Sequence, residues 1–360
     1  MIVLGIETSC DETAAALVEE TGDAAKPWRL RSSVVASQVA IHREWGGVVP
    51  ELSARQHIRD ICGVVERTLL DGGRARFDAV AVTQGPGLVG SLLVGVAFAK
   101  ALAWSSNVPL VPVHHLAGHL ESLVLESGEL PQPSVVLIVS GGHTSLYLVR
   151  APGDLELLGR TRDDAAGEAY DKVAKLLGLG YPGGPAIDRL AADGNDRAVA
   201  LPKTRLTHAD RNAPGIPGRR DFSFSGLKTA VLRHVSGRRA ALRLDESSSL
   251  PEQEVRDICA SFQRVVVEVL LDRVFEAARW YGARSVGIAG GVSANSRLRL
   301  DARARAEARE LPVFIPSLSL ATDNAAMIAA AGLRAFRAGT IAGWDLNAEA
   351  GLKLGAASAG

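Results

Sequence analysis

Residues 134–149 read SVVLIVSGGHTSLYLV, which is an apolar stretch, a small polar turn and a second apolar stretch. This pattern predicts a β-hairpin. Residues 2–19, IVLGIETSCDETAAALVE, repeat the pattern around a polar turn from Glu7 to Thr13. The chain is therefore predicted to contain two halves that each begin with a hairpin whose turn is small and polar.

Each predicted hairpin is followed by a strand, a glycine turn, a helix and a further strand. Residues 77–113 contain the turn GPGLVG and residues 285–316 contain the turn AGGVSAN. Alternating strands and helices indicate α/β layers. Residues 203–251 differ, because Pro, Gly, Arg and Ser interrupt them, and they are predicted to be loops.

The composition limits the classes of function. The 360 residues are 47% hydrophobic and carry no formal net charge, so any nucleic-acid contact must use a local patch or a partner. Three widely spaced cysteines argue against a disulfide framework. The start MIVLGIETSC lacks the basic segment of a signal peptide, and no apolar run approaches the ~20 residues of a membrane span. A cytoplasmic protein without a membrane segment is expected.

One local basic patch interrupts this neutral chain. Residues 203–243 contain ten Lys or Arg against only Asp210 and Asp221. Such clustering is typical of an RNA contact, although a solvated loop remains an equal alternative.

The stretch VHHLAGH, residues 113–119, is a candidate metal site. His115 and His119 are four residues apart, so on a helix they share one face and could bind one ion. The protease motif His-Glu-x-x-His needs a glutamate where this chain has Leu116. Asp323 is a candidate third ligand, but it also stands where a helix would be capped. Histidines on a helix surface remain the alternative.

Several glycine turns are candidate nucleotide sites. GPGLVG at 85–90 lacks the acidic residue that a dinucleotide site needs after the next strand, which excludes NAD binding. VSGGHT at 139–144 and AGGVSAN at 289–295 are typical of anion-binding turns, since glycines let a phosphate approach the backbone. Asp171 and Asp188 flank the YPGGP turn and could accept hydrogen bonds from sugar hydroxyls, or they are solvated helix carboxylates.

Taken together, these segments resemble the TsaD family of bacterial tRNA adenosine threonylcarbamoyltransferases, once described as O-sialoglycoprotein endopeptidases. The resemblance runs over nearly the whole chain and depends on a set of motifs in one order. The motifs are GIETSCDET, EWGGVVPELSARQH, GPGLVGSLLVG, PVHHLAGHL, VSGGHTSL, DDAAGEAYDKVAKLLGLGYPGGP, DFSFSGLKTA, AGGVSAN and TDNAAMIA.

The resemblance implies an actin-like ATPase fold, with two lobes of related topology and the active site in the cleft. The N-terminal lobe would span residues 1–112 and be completed by a segment from about 325 to 360. The C-terminal lobe would span residues 113–324 and carry both the metal and the nucleotide sites.

The resemblance also implies residue roles. His115, His119 and Asp323 match the metal ligands of the family, with Fe2+ expected and zinc as the alternative. The loop against the phosphate and acyl part of the substrate would be Ile138, Val139, Ser140, Gly141 and Gly142. The nucleotide portion would be held by Asp171, Gly184, Asp188 and Asn295.

The implied reaction moves the threonylcarbamoyl group from threonylcarbamoyl-AMP to N6 of adenosine 37 in tRNAs that read codons beginning with A. A separate synthase would supply the donor, and the inactive paralogue TsaB and the small ATPase TsaE would be partners. Asp11 is the candidate general base for the weakly nucleophilic amine. A non-catalytic nucleotide-binding scaffold and a metalloprotease are the alternative functions.

Overall fold

A computed structural model of the protein describes residues 1–204, 206, 220–245 and 248–354. The chain forms two compact units. Unit 1 contains Met1–Leu130 and the described residues from Pro316 onward, and unit 2 contains the described residues of Pro131–Ile315.

Unit 1 is built on a five-stranded mixed sheet. Its strands are β1 (Ile2–Glu7), β2 (Glu12–Glu20), β3 (Trp28–Ser37), β4 (Ala79–Gly85) and β5 (Leu110–His114). Their order is β3-β2-β1-β4-β5. The first three strands are antiparallel, while β4 lies parallel to β1 and β5 parallel to β4. The predicted N-terminal hairpin is thus β1–β2, and its turn comprises residues 8–11.

Helices cover both faces of this sheet. They are α1 (Val39–Arg43), α2 (Pro50–Asp71), α3 (Val89–Ser106), α4 (His115–Ser127), α10 (Leu318–Ala321) and α11 (Ala325–Arg337). Because successive strand residues point to opposite faces, Leu4 and Ile6 pack in the core beneath α2 and α3. Val3 packs in the other core, which is built mainly on α11.

Unit 2 repeats the strand order of unit 1. Its strands are β6 (Ser134–Val139), β7 (Thr144–Ala151), β8 (Asp154–Arg160), β9 (Ser285–Ala289) and β10 (Val313–Phe314). Their order is β10-β9-β6-β7-β8, with β6, β7 and β8 antiparallel and β9 parallel to β6. The helices are α5 (Ala166–Leu176), α6 (Gly183–Ala191), α7 (Ser225–Ala241), α8 (Glu252–Trp280) and α9 (Ser296–Glu307). The repeated topology confirms the expected actin-like ATPase fold.

The observed division of the chain differs from the expected boundary between residues 112 and 113. Helix α4 belongs to unit 1 because it packs against α11 and the sheet edge, so the unit ends only at Leu130. Residues 203–251 also differ from the loop expectation, since they include α7. Much of the predicted basic patch, residues 205 and 207–219, lies outside the described residues.

Among the residues that the structure describes, α3 is long and apolar enough to cross a membrane by length and composition. It packs against β4 and α2 within unit 1. In the part of the chain that the structure describes, 33% of this helix is buried.

Helix α11 approaches β1 unusually closely, and Gly5 permits this approach. A Cβ built at Gly5 would lie 2.5 Å from the Ala325 carbonyl oxygen and 2.6 Å from the Ala329 amide nitrogen. These neighbours are backbone atoms of α11, so a side chain at Gly5 could be accommodated only by moving the helix.

We predict that Gly5→Ala lowers the free energy of unfolding by about 1–3 kcal/mol, because the added methyl group overpacks this contact. Urea unfolding followed by tryptophan fluorescence measures the change. Gly63→Ala is the matched control, since Gly63 lies in α2 and a Cβ there would meet nothing within 4 Å. The control is expected to stabilise the protein by about 0.5–1 kcal/mol. Equal stability of both variants would contradict the prediction.

Candidate active site

Helix α4, which directly follows strand β5, carries the predicted histidine pair. Strand β5 ends at His114, and α4 begins at His115, so His115 and His119 lie one turn apart on the same helix face. His114 has a different task, because its ring Nδ1 accepts a hydrogen bond from the Leu116 amide and caps the helix. The histidine pair is buried, which contradicts the alternative of histidines on the helix surface.

Asp323 lies between α10 and α11 and faces this pair. Its Oδ1 is 3.3 Å from His119 Nε2 and 3.6 Å from His115 Nε2. The cap of α11 is the next residue, Asn324, whose side chain accepts from the Met327 amide at 3.0 Å. The capping alternative for Asp323 is therefore wrong, and its carboxylate is directed to the histidines.

The three side chains form a group that could hold a metal ion. One ligand atom from each of His115, His119 and Asp323 lies within 4.8 Å of the others. His119 is fully buried, and although its Nε2 lies 3.3 Å from Asp323 Oδ1, neither of its ring nitrogens makes a hydrogen bond of good geometry. Buried polar atoms are nearly always paired, so this imidazole lacks a partner that an ion would supply. Two histidines and one carboxylate are a donor set that suits zinc or ferrous iron.

The side of His115 opposite Asp323 is held by residues that the sequence analysis missed. His115 Nδ1 is 3.2 Å from Glu7 Oε2 and 3.2 Å from Ser9 Oγ. The Thr83 hydroxyl donates to Glu7 Oε2 at 2.7 Å. Such partners fix the ring orientation and leave Nε2 for a metal. In the sequence, Glu7 and Ser9 could have been found from the polar stretch that follows the first apolar strand.

The contact between His115 and Glu7 shifts the pKa values of both side chains. Burial lowers the pKa of His115, but the charges of Asp323 and Glu7 outweigh this effect and raise the pKa to about 9. Burial raises the pKa of Glu7, but the charge of His115 outweighs burial and holds the net pKa below its ordinary value. A proton therefore competes with a cation for the His115 ring below about pH 9.

A second buried network clamps the two helices that supply the ligands. Arg334 of α11 donates to Glu121 of α4 and, at 2.7 Å, to Glu129. The Trp28 indole also donates to Glu121, at 2.8 Å, and the Arg334 guanidinium lies over the Trp28 ring. Charge-assisted bonds in a buried setting are strong, so this clamp fixes α4 relative to α11.

Asp11, the candidate base, lies in the β1–β2 turn of the same unit. Its carbonyl accepts from the Gln38 amide at 2.9 Å. Burial and the charges of Asp11 and Asp323 raise the pKa of the neighbouring Glu12 to about 10. This shift favours the protonated form of Glu12, in which the carboxyl can donate a hydrogen bond to Asp11.

In unit 2, the predicted phosphate loop is the β6–β7 turn. Ile138 and Val139 end β6, and the Ser140 amide donates to the His143 carbonyl at 2.8 Å. A Cβ built at Gly141 or Gly142 would meet nothing within 4 Å. The backbone of this turn is open to an approaching ligand, which is what an anion-binding turn requires.

The four predicted nucleotide residues gather around α6. Asp171 Oδ1 accepts from the Gly183 amide at 2.7 Å, at the start of this helix. Gly184 and Asp188 are four residues apart on α6 and share a face. Asp188 accepts from Asn295 Nδ2 at 3.1 Å, and also from the amide of Ser296 at 3.0 Å. The family resemblance thus grouped residues that lie near one helix in the fold, and their role in nucleotide binding stays a prediction.

Comparisons with known proteins agree with these observations. The family profile described as "TsaD: tRNA N6-adenosine threonylcarbamoyltransferase" matches residues 29–330. A protein of that name from Anaeromyxobacter dehalogenans (strain 2CP-C) is 51% identical over 98% of this chain and 99% of its own length. One of the same name from Bacillus subtilis (strain 168) is 46% identical over 98% of this chain and 96% of its own.

Among solved structures, HypF from T. kodakarensis is similar with a TM-score of 0.57. The match has 14% sequence identity and covers 96% of this chain and 49% of that one. A likeness at this identity supports the fold alone.

We predict that His115→Ala and His119→Ala each weaken Zn2+ binding by more than about a hundredfold, beyond the ~10–100-fold that loss of an outer partner costs. Competition titration of metal-free protein measures this. Wild-type affinity should also rise with pH up to about 9, because the proton on His115 must leave first. The control is His114→Asn, which keeps an acceptor for the Leu116 amide. Ligand variants that bind like this control would contradict a metal site.

Proposed function

Because the chain belongs to the TsaD family of tRNA N6-adenosine threonylcarbamoyltransferases, it is a transferase of tRNA modification, and we propose the following reaction for it. The protein transfers the threonylcarbamoyl group from threonylcarbamoyl-AMP to N6 of adenosine 37 in tRNAs that read codons beginning with A, and AMP leaves. The observation that supports this most is the buried group of His115, His119 and Asp323, in which His119 lacks a hydrogen-bond partner.

In this reaction the protein has to position the reactants, and it does not need to form a covalent intermediate. A mixed anhydride of a carbamic acid and a phosphate is already activated, and AMP is a good leaving group. The protein must align the donor with the amine and stabilise the charge that develops on the carbonyl and phosphate oxygens. We assign the loop from Ile138 to Gly142, in which Gly141 and Gly142 face open space, to the phosphate and acyl part of the donor. Asp171, Gly184, Asp188 and Asn295 would hold its nucleotide portion.

His115, His119 and Asp323 would hold one divalent ion, for which we expect Fe2+ and keep zinc as the alternative. When bound, the ion supplies a Lewis acid that polarises an oxygen of the donor. Glu7 and Ser9 orient the His115 ring for this task, because they contact Nδ1 and leave Nε2 directed to Asp323.

We assign the role of general base to Asp11, which would accept the proton of the attacking amine. A protonated Glu12 beside it can donate a hydrogen bond to the Asp11 carboxylate without neutralising it. Asp11 is only slightly exposed, so few water molecules compete for its oxygens.

The alternative functions fit less well. A metalloprotease of the His-Glu-x-x-His type lacks its base, since Leu116 is an apolar, buried residue. A non-catalytic scaffold would have no use for a buried imidazole without hydrogen bonds. We further propose that the protein works in the cytoplasm with tRNA, TsaB and TsaE, and that a separate synthase supplies the donor.

We predict that the purified protein, given the donor, an A-codon-reading tRNA and its two partners, produces threonylcarbamoyladenosine. Nucleoside mass spectrometry detects it. His115→Ala should abolish the product because the ligand group is broken, and Asp11→Ala should lower the single-turnover rate about a hundredfold or more. His114→Asn is again the matched control. If partners proven active with another family member yield no product with wild type, the scaffold function becomes the better one.

We also predict that the paralogue TsaB docks on the outer face of α2, around Glu51 to Leu70. Ile58 lies on this face with 64% of its surface exposed. Glu51→Arg or Ile58→Asp should abolish co-elution of the pair in size-exclusion chromatography, because a charge would be buried without a partner. Leu232→Asp, an exposed apolar position on α7 of unit 2, should leave the pairing intact. Co-elution of all variants would place the interface elsewhere.

A further inference from the structure

His57 lies on the inner face of α2, within the motif EWGGVVPELSARQH, and the function proposed above gives it no role. Its side chain has no solvent-exposed surface. Burial of an imidazole is costly unless its nitrogens are paired, and here both nitrogens have partners. The identity of these partners indicates what the residue does.

Hydrogen bonds determine which nitrogen of His57 carries the proton. Nε2 is 3.1 Å from the Cys10 carbonyl oxygen, which can only accept, so Nε2 is the donor. Nδ1 is then an acceptor, and the Thr13 hydroxyl lies 2.7 Å from it and the Gln38 amide nitrogen 3.3 Å. A neutral imidazole satisfies this arrangement fully. Burial lowers the pKa of His57, which favours the same neutral form.

The bonds of His57 converge on the β1–β2 turn. The Cys10 carbonyl accepts from both His57 and Ser53, which are two residues of the same helix. Gln38, which contacts the His57 ring, also donates its backbone amide to the Asp11 carbonyl at 2.9 Å. Two successive carbonyls of the turn are thus held by one buried network.

This turn carries the groups that orient His115 and the group assigned as the general base. Glu7 and Ser9, at its start, contact His115 Nδ1, and Asp11 is the assigned base. A shift of the turn would therefore rotate the His115 ring and displace Asp11 together. A misplacement of about 1 Å in such groups can cost about a hundredfold in rate.

We propose that His57 is a positioning residue for the transfer reaction: through the Cys10 carbonyl and the Thr13 hydroxyl it holds the β1–β2 turn, which orients His115 and carries Asp11. The role of His57 toward Asp11 depends on the function proposed above. The role of His57 toward His115 is independent of that function, because the effect on a metal ligand can be measured as Zn2+ affinity without the reaction.

The test is His57→Phe, which keeps a buried ring but removes all hydrogen bonds of the imidazole. Zn2+ affinity of the metal-free protein should fall by about 10–100-fold, as it does when an outer partner of a ligand is lost. The single-turnover transfer rate at saturating donor should fall at least about tenfold.

The matched control is Thr68→Val. Thr68 is buried on the same helix, and its hydroxyl contacts the Ala15 carbonyl of β2 at 3.1 Å, away from the turn. This control should lower the melting temperature without changing Zn2+ affinity or rate.

A second variant separates positioning from packing. In His57→Gln, the amide group can donate to the Cys10 carbonyl and accept from Thr13, so metal affinity and rate should return to within about threefold of wild type. If His57→Phe does not fold, Thr13→Val removes the 2.7 Å hydrogen bond to Nδ1 and should also lower metal affinity and rate.

The proposal is wrong if His57→Phe, or Thr13→Val in its place, matches Thr68→Val in both metal affinity and rate. It is also wrong if His57→Gln is as impaired as His57→Phe, since packing would then explain the loss. A wild type that forms no modified nucleoside, with Zn2+ affinity still dependent on His57, would refute the proposed reaction and retain the effect on His115.

Discussion

The contact between α11 and the central strands of unit 1 is the constraint on which the candidate site depends. A Cβ at Gly5 or Gly332 would lie 2.5 Å or less from atoms across this contact, so the helix backbone reaches the sheet itself. Helix α4 packs on the same helix, and Arg334 bonds to its Glu121. Since Asp323 immediately precedes α11 and the two histidines begin α4, backbone packing determines the distances within the triad.

The cost of burying polar atoms explains why the two histidines of the site differ in hydrogen bonding. His115 Nδ1 has partners in Glu7 and Ser9, whereas His119 has only the Asp323 carboxylate 3.3 Å from Nε2 and no hydrogen bond of good geometry at either nitrogen. Leaving such a polar atom buried and unpaired costs about 1–3 kcal/mol, which a bound cation would offset. His119 Nε2 thus faces Asp323, and His115 Nδ1 faces the β1–β2 turn.

The sequence predicted much of this arrangement, and the misses have physical causes. Periodicity indicated both hairpins and the α/β alternation, because strand and helix periods are local properties. Spacing paired His115 with His119, and ligand type made Asp323 a candidate third ligand, but only the resemblance placed it beside them, since a distance across the fold leaves no periodic signal. The compact unit ends later than the predicted lobe boundary, because α4 follows a strand end, where a new unit could begin, and its packing on α11 assigns it to unit 1.

The two hairpin turns occupy the same place in the repeated topology, yet they carry opposite chemistry. The β1–β2 turn is bordered by Glu7 and Glu12 and contains Asp11, whereas residues 139–144 contain no acidic residue. Carboxylates attract a cation and repel a phosphate, while open glycine amides do the reverse. The duplicated fold thus places an acidic turn in one unit and a glycine turn without acidic residues in the other, so the same backbone position carries opposite electrostatic character in the two units.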